Sequence, residues 1–152
     1  MAKRTNLRLV LAAALLAGYW CALFVATHVP LPDGLPGAGL DKLYHAAAYA
    51  GLALLLSTVW SLRRPTSWKS YVLVVLLIAA YGALDEWIQM HVPGRSAELL
   101  DWTADLLGAV AGAALHWVCA AVIGSRSGSV PTAMPAEDKE QAETLLHHDR
   151  LR

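Results

Sequence analysis

Four long apolar stretches dominate the chain, at about Leu7 to Val29, Leu40 to Leu62, Ser70 to Met90 and Ala97 to Ile123. A helix needs about 20 mostly apolar residues to cross a bilayer, and each stretch meets that length. Within lipid every backbone N–H and C=O must be bonded inside the segment, so such runs are helical or absent from the membrane. The expected architecture is therefore all-α: a bundle of four transmembrane helices. Composition agrees, with 57% hydrophobic and 16% charged residues, far from a water-soluble domain. Twelve basic residues balance twelve acidic ones, so no overall positive field argues for nucleic acid as a partner. Cys21 and Cys119 stand alone in apolar runs, outside any metal or redox spacing.

The connections are short and punctuated. VPLPDGLPGAGL, with three prolines and three glycines, separates the first two helices, because neither residue type continues a helix. RRPTSWK separates the second and third. HVPGR joins the third to the fourth, with Pro93 and Gly94 suited to a tight turn and Ser96 placed to cap the next helix. The helical domain is assigned to 1–124. Residues 125–152 are polar and rich in small residues, and are read as a disordered cytoplasmic tail. Lys3, Arg4, Arg8, Arg63, Arg64, Lys69 and Arg126 fall at one set of helix ends, against Lys42 and Arg95 at the other. Short loops rich in Lys and Arg stay in the cytoplasm, which places both termini there. The first segment has a basic start but runs through Tyr19 and Trp20 without a small-residue cleavage site, so it is read as a retained helix. Trp60 and Trp68 on the inner side, and Trp87 and Trp102 on the outer, suit interfacial belts.

That topology gathers the polar residues of the apolar stretches at one depth, the outer end. In the second helix Asp41, His45 and Tyr49 are four apart, so they share a face on successive turns, with Lys42 beside them. In the third, Asp85, Glu86 and Gln89 are close enough for a carboxylate and the amide to face one neighbour. In the fourth, Asp101, Asp105, Gly108 and Gly112 follow a four, three, four rhythm along one stripe, and the two glycines let another helix approach closely.

An Asp, Lys or Arg costs roughly 2.5–3.5 kcal/mol at mid-membrane on translocon scales, so these groups must pair, share protons or meet water or a cation. Asp41, Asp85, Glu86, Asp101 and Asp105 face only Lys42 and Arg95 as permanent cations. Three chemistries are open. Arg95 and Lys42 suit the phosphate or carboxylate of an envelope lipid. Carboxylates with His45 suit a divalent metal or acid–base work on such a lipid. Intramembrane carboxylates with a histidine also suit a proton relay. The chain contains no established metal or catalytic signature: no HExxH, no GxSxG, no CxxC.

Taken together, Asp41-Lys42-x-x-His45, Asp85-Glu86-x-x-Gln89, Pro93-Gly94-Arg95 and Asp101-x-x-x-Asp105-x-x-Gly108 resemble the VanZ-like family in order, spacing and placement. The motif-bearing core is 41–112, and position 105 carries Asp where many members have Asn. The resemblance implies a small bacterial integral membrane protein of the cytoplasmic membrane, whose founding member is linked to resistance to the glycopeptide teicoplanin. The resemblance names no cofactor and no reaction; the convergence of Arg95 and Lys42 with carboxylates at the outer end makes membrane lipid, including a lipid-linked cell-wall precursor, the expected class of partner.

Overall fold

The computed structural model describes residues 2–29, 40–93 and 98–127, and side chains for 7–29, 40–93 and 98–123. Its helices are α1 (Ala2–His28), α2 (Asp41–Arg63), α3 (Trp68–Gln89) and α4 (Leu99–Ser127). No strand occurs among the described residues, as expected for an all-α chain. The disordered-tail assignment beyond Ser127, the Pro93-Gly94 turn and the Ser96 cap lie wholly or partly outside the described residues.

Within the helices, Leu7–His28, Asp41–Arg63, Trp68–Gln89 and Leu99–Ile123 are each apolar enough to span a membrane, at 22 to 25 residues. At 1.5 Å per residue, 22 residues reach about 33 Å, against a hydrocarbon core of about 30 Å. Their outer faces leave Val10, Leu76, Leu107, Trp117 and Ile123 exposed. An apolar surface of that extent is at home in lipid and not in water.

Local sequence sets the helix ends. Arg64 is extended (φ −145°, ψ 150°), as the residue before Pro65 should be, and its N–H donates to the Trp60 carbonyl at 2.9 Å. α3 starts at Trp68, two residues before the expected Ser70, because Ser67 opens a capping box: its own N–H donates to Ser70 Oγ at 3.3 Å. α4 starts at Leu99, two residues later than expected. The N–H of Glu98 is taken by the Glu86 carboxylate at 2.9 Å, so the end of α3 satisfies a donor at the start of α4.

The helices up to Ala120 form one compact unit; of the second unit, Ala121–Arg152, only the last turns of α4 are described. The first unit's core joins Leu23 of α1, Tyr49 and Leu52 of α2, Val74 and Ile78 of α3, and Ala109 of α4. Tyr19 donates to the Ala48 carbonyl at 2.8 Å, fastening α1 to α2. Trp102 Nε1–H donates to the Ala79 carbonyl at 2.9 Å, fastening α4 to α3. α2 and α4 approach each other closely. A Cβ at Gly108 would collide with the carbonyl of Ala46, and one at Gly112 with the carbonyl of Ala50. Gly108 and Gly112 of α4 therefore lie close against the backbone of α2.

Candidate functional site

Where α2 begins, α3 ends and α4 begins, the polar residues separate into three groups. In the first, Lys42 Nζ lies 2.8 Å from Asp41 Oδ2, 2.6 Å from Glu98 Oε2 and 2.6 Å from Asp101 Oδ1. One ammonium has three N–H donors, and this one meets three carboxylates: Asp41 of α2, Glu98 just before α4, and Asp101 of α4. Lys42 is thus committed to binding α2 to the start of α4, and its charge is already more than matched.

The second group lies deeper. His45 of α2, Glu86 of α3 and Asp105 of α4 offer one ligand atom each, all within 4.8 Å of one another. His45 Nδ1 stands 2.9 Å from Asp105 Oδ1. Asp105 is fully buried and Glu86 is 7% exposed. Among the described residues Asp105 Oδ2 and Glu86 Oε1 are buried with no hydrogen-bond partner. The approach at Gly108 makes this meeting possible, since His45 precedes Ala46 and Asp105 lies one turn before Gly108. Gly82 contributes from α3: a Cβ there would stand 3.2 Å from Asp105 Oδ2 and 3.4 Å from both Trp102 and Tyr49. The rings of His45 and Tyr49 lie nearly parallel, 6.4 Å apart, so the shared face expected for α2 is present.

The third group surrounds Asp85, which is 1% exposed. Gln89 Nε2 donates to its Oδ2 at 2.7 Å, and Tyr81 donates to its Oδ1 at 3.3 Å. The Thr27 hydroxyl of α1 is 3.2 Å from the same oxygen, and His28 Nδ1 is 3.7 Å away. This network docks α1 on the end of α3.

The expected residues thus converge on one end of the bundle without forming a single pocket. Successive residues of a helix point about 100° apart, so Asp85 and Glu86 serve different neighbours, and the Gln89 amide belongs to Asp85. Arg95 lies outside the described residues. Gly108 and Gly112 lie against the α2 backbone at Ala46 and Ala50. The sequence reading passed over Thr27, Tyr81 and Gly82. Tyr81 has a readable signal, standing four residues before Asp85 and eight before Gln89 on one helical face; Thr27 has none, because α1 carries no other polar stripe at that level.

A cavity of about 280 Å³ opens between α1 and α2, lined by Leu23, Ala26, Thr27, Asp41, Tyr44, His45, Ala48 and Tyr49. Its wall is mostly apolar, with Thr27, Asp41 and His45 as polar contacts, a pattern common to ligand sites. His45 belongs both to this wall and to the trio with Glu86 and Asp105.

Fold and site together define a multi-pass membrane protein with a buried imidazole–carboxylate group near one end of its bundle. The family model described as VanZ/LLP1 matches residues 6–120, most of the chain, and the protein belongs to that family. Neither a curated protein nor a solved structure matches it.

Proposed function

We propose that the protein binds the headgroup end of an envelope lipid, either a phospholipid or a lipid-linked cell-wall precursor, at the bundle end that carries His45. In this reading both termini are cytoplasmic, the site faces outward from the bacterial cytoplasmic membrane, and occupancy changes how the surface presents itself to glycopeptides such as teicoplanin. The observation that supports it is the double membership of His45: one ring borders an apolar cavity and touches a buried carboxylate. A chain or linker in the cavity would bring its polar end to that ring. Lys42 is already occupied by Asp41, Glu98 and Asp101, so we assign any phosphate contact to Arg95 rather than to Lys42.

The test is native mass spectrometry of the full chain in nanodiscs of bacterial lipid, paired with teicoplanin susceptibility of a host expressing equal amounts of each variant. Ala48→Trp, which fills the cavity, and Arg95→Gln should each reduce retained lipid and change susceptibility. Retention and susceptibility that are the same in wild type and both variants would remove the reading.

A second reading is favoured by the 2.9 Å contact between His45 and Asp105: a carboxylate-oriented imidazole is the arrangement of a general base. A membrane-embedded hydrolase or transferase would convert envelope lipid in a manner that stops in His45→Ala. Binding without turnover separates the first reading from this one.

A further inference from the structure

Two trios of ligand-bearing side chains occur among the described residues, and they differ in one respect. The Asp41, Glu98 and Asp101 trio closes around its own cation, Lys42 Nζ, at 2.6–2.8 Å. The His45, Glu86 and Asp105 trio has no lysine or arginine among the described residues within ion-pair distance. It nevertheless places two carboxylates in the bundle interior, and each leaves one oxygen without a donor. A buried acceptor lacking a partner costs about 1–3 kcal/mol, and more when charged. A cation held among the three side chains would offset the charge of both buried carboxylates.

We propose that His45, Glu86 and Asp105 form a site for one divalent transition-metal ion, zinc or manganese. Charge selects a dication: two carboxylates and a neutral imidazole sum to −2, so an ion of +2 leaves the buried site neutral. Donor chemistry selects the element class, because one nitrogen and two oxygens, without thiolate or thioether, suit zinc or manganese better than soft Cu(I). The geometry is within reach. Ligands about 2.0–2.1 Å from a tetrahedral ion stand roughly 3.3 Å apart, and the three ligand atoms lie within 4.8 Å of one another, with His45 and Asp105 at 2.9 Å. Each ligand comes from a different helix, so small rotamer adjustments close the trio around an ion. The cavity bordered by His45 supplies an entry path, and three protein ligands leave a coordination position for water or for an oxygen of a bound molecule.

The site is tested on the full chain, purified in detergent, stripped with EDTA and dialysed against Zn²⁺ or Mn²⁺ alone. Elemental analysis should find one equivalent of one of the two ions per wild-type chain. Outer-shell contacts alone are worth about 10–100-fold in metal affinity, so His45→Ala and Asp105→Ala should each weaken binding by at least about tenfold. Glu98→Gln with Asp101→Asn, which removes two carboxylates of the other trio, should retain the ion. Should the variants fail to fold, electron spin echo spectroscopy of Mn²⁺ on the unmutated protein should show coupling to one imidazole nitrogen. The proposal is overturned by wild-type protein that takes up neither ion, by bound Mn²⁺ without nitrogen coupling, or by an ion kept in folded His45→Ala and lost from the Glu98/Asp101 double variant. The metal site does not rest on lipid binding. Metal-free protein that retains lipid removes this inference alone, and metal-loaded protein that retains none removes only the lipid reading.

Discussion

Replacing Gly108 or Gly112 with alanine probes how packing and site depend on one another. A Cβ at Gly108 would stand 2.9 Å from both the carbonyl carbon and the Cα of Ala46, with the carbonyl oxygen closer still; at Gly112 the corresponding atoms of Ala50 lie 2.8 Å and 3.0 Å away. Carbon atoms in good contact are about 3.5–4.0 Å apart. Relief therefore requires α2 and α4 to separate by about 1 Å or slightly more, and no flexible side chain can give way, because the obstacle is backbone. Overpacking typically costs about 1–3 kcal/mol, and a rigid obstacle puts these positions near the upper end. Alanine's helix preference over glycine, at most about 1 kcal/mol, leaves a net loss of about 2 kcal/mol. Gly18 is the control, since a Cβ there meets nothing within 4 Å. A 1 Å separation would also stretch the 2.9 Å contact of His45 with Asp105 to about 3.9 Å, beyond hydrogen-bond range. Reversible unfolding in mixed micelles titrated with SDS measures the first effect. Gly108→Ala and Gly112→Ala should each lose about 2 kcal/mol, and the double variant less than the sum, because the first substitution already opens the interface. Stabilities within about 0.5 kcal/mol of Gly18→Ala would refute the reasoning.

Other expectations follow from the same contacts. Asp85→Ala removes the acceptor shared by Gln89, Tyr81 and Thr27; at roughly 0.6 kcal/mol per contact in a membrane protein it should cost about 2 kcal/mol, and proteolysis should release α1 first. Lys42→Met leaves Asp41, Glu98 and Asp101 facing one another; it should lower the thermal midpoint, more so at low salt, and a further Asp101→Asn should recover part of the loss. Trp102→Phe removes the bond to the Ala79 carbonyl and should cost about 1 kcal/mol in the same SDS titration.

Much of this arrangement is legible in the amino-acid sequence, because its controlling variable is the length of apolar runs. Four spans, the face shared by His45 and Tyr49, and the close approach at Gly108 and Gly112 all follow from helical period and residue size. The division of the polar end into three groups was harder to read. Neighbours such as Asp85 and Glu86 must diverge on a helix, but which helix each one meets depends on the order of helices around the bundle, which spacing does not encode. The commitment of Lys42 depends on Glu98 and Asp101, more than fifty residues away. Thr27 joins the site only because α1 docks beside α3, and apart from His28 its sequence neighbours are apolar.

Convergence of α2 and α4 at His45 and Asp105 is most directly tested by thiol cross-linking in native membranes, in a Cys21→Ser, Cys119→Ser background that removes the native thiols. The pair His45→Cys with Asp105→Cys should join rapidly under a short bifunctional reagent. Tyr44→Cys with Asp105→Cys should not, since Tyr44 is 65% exposed on another face of α2. Equal yields from the two pairs, or none from the first, would contradict the account.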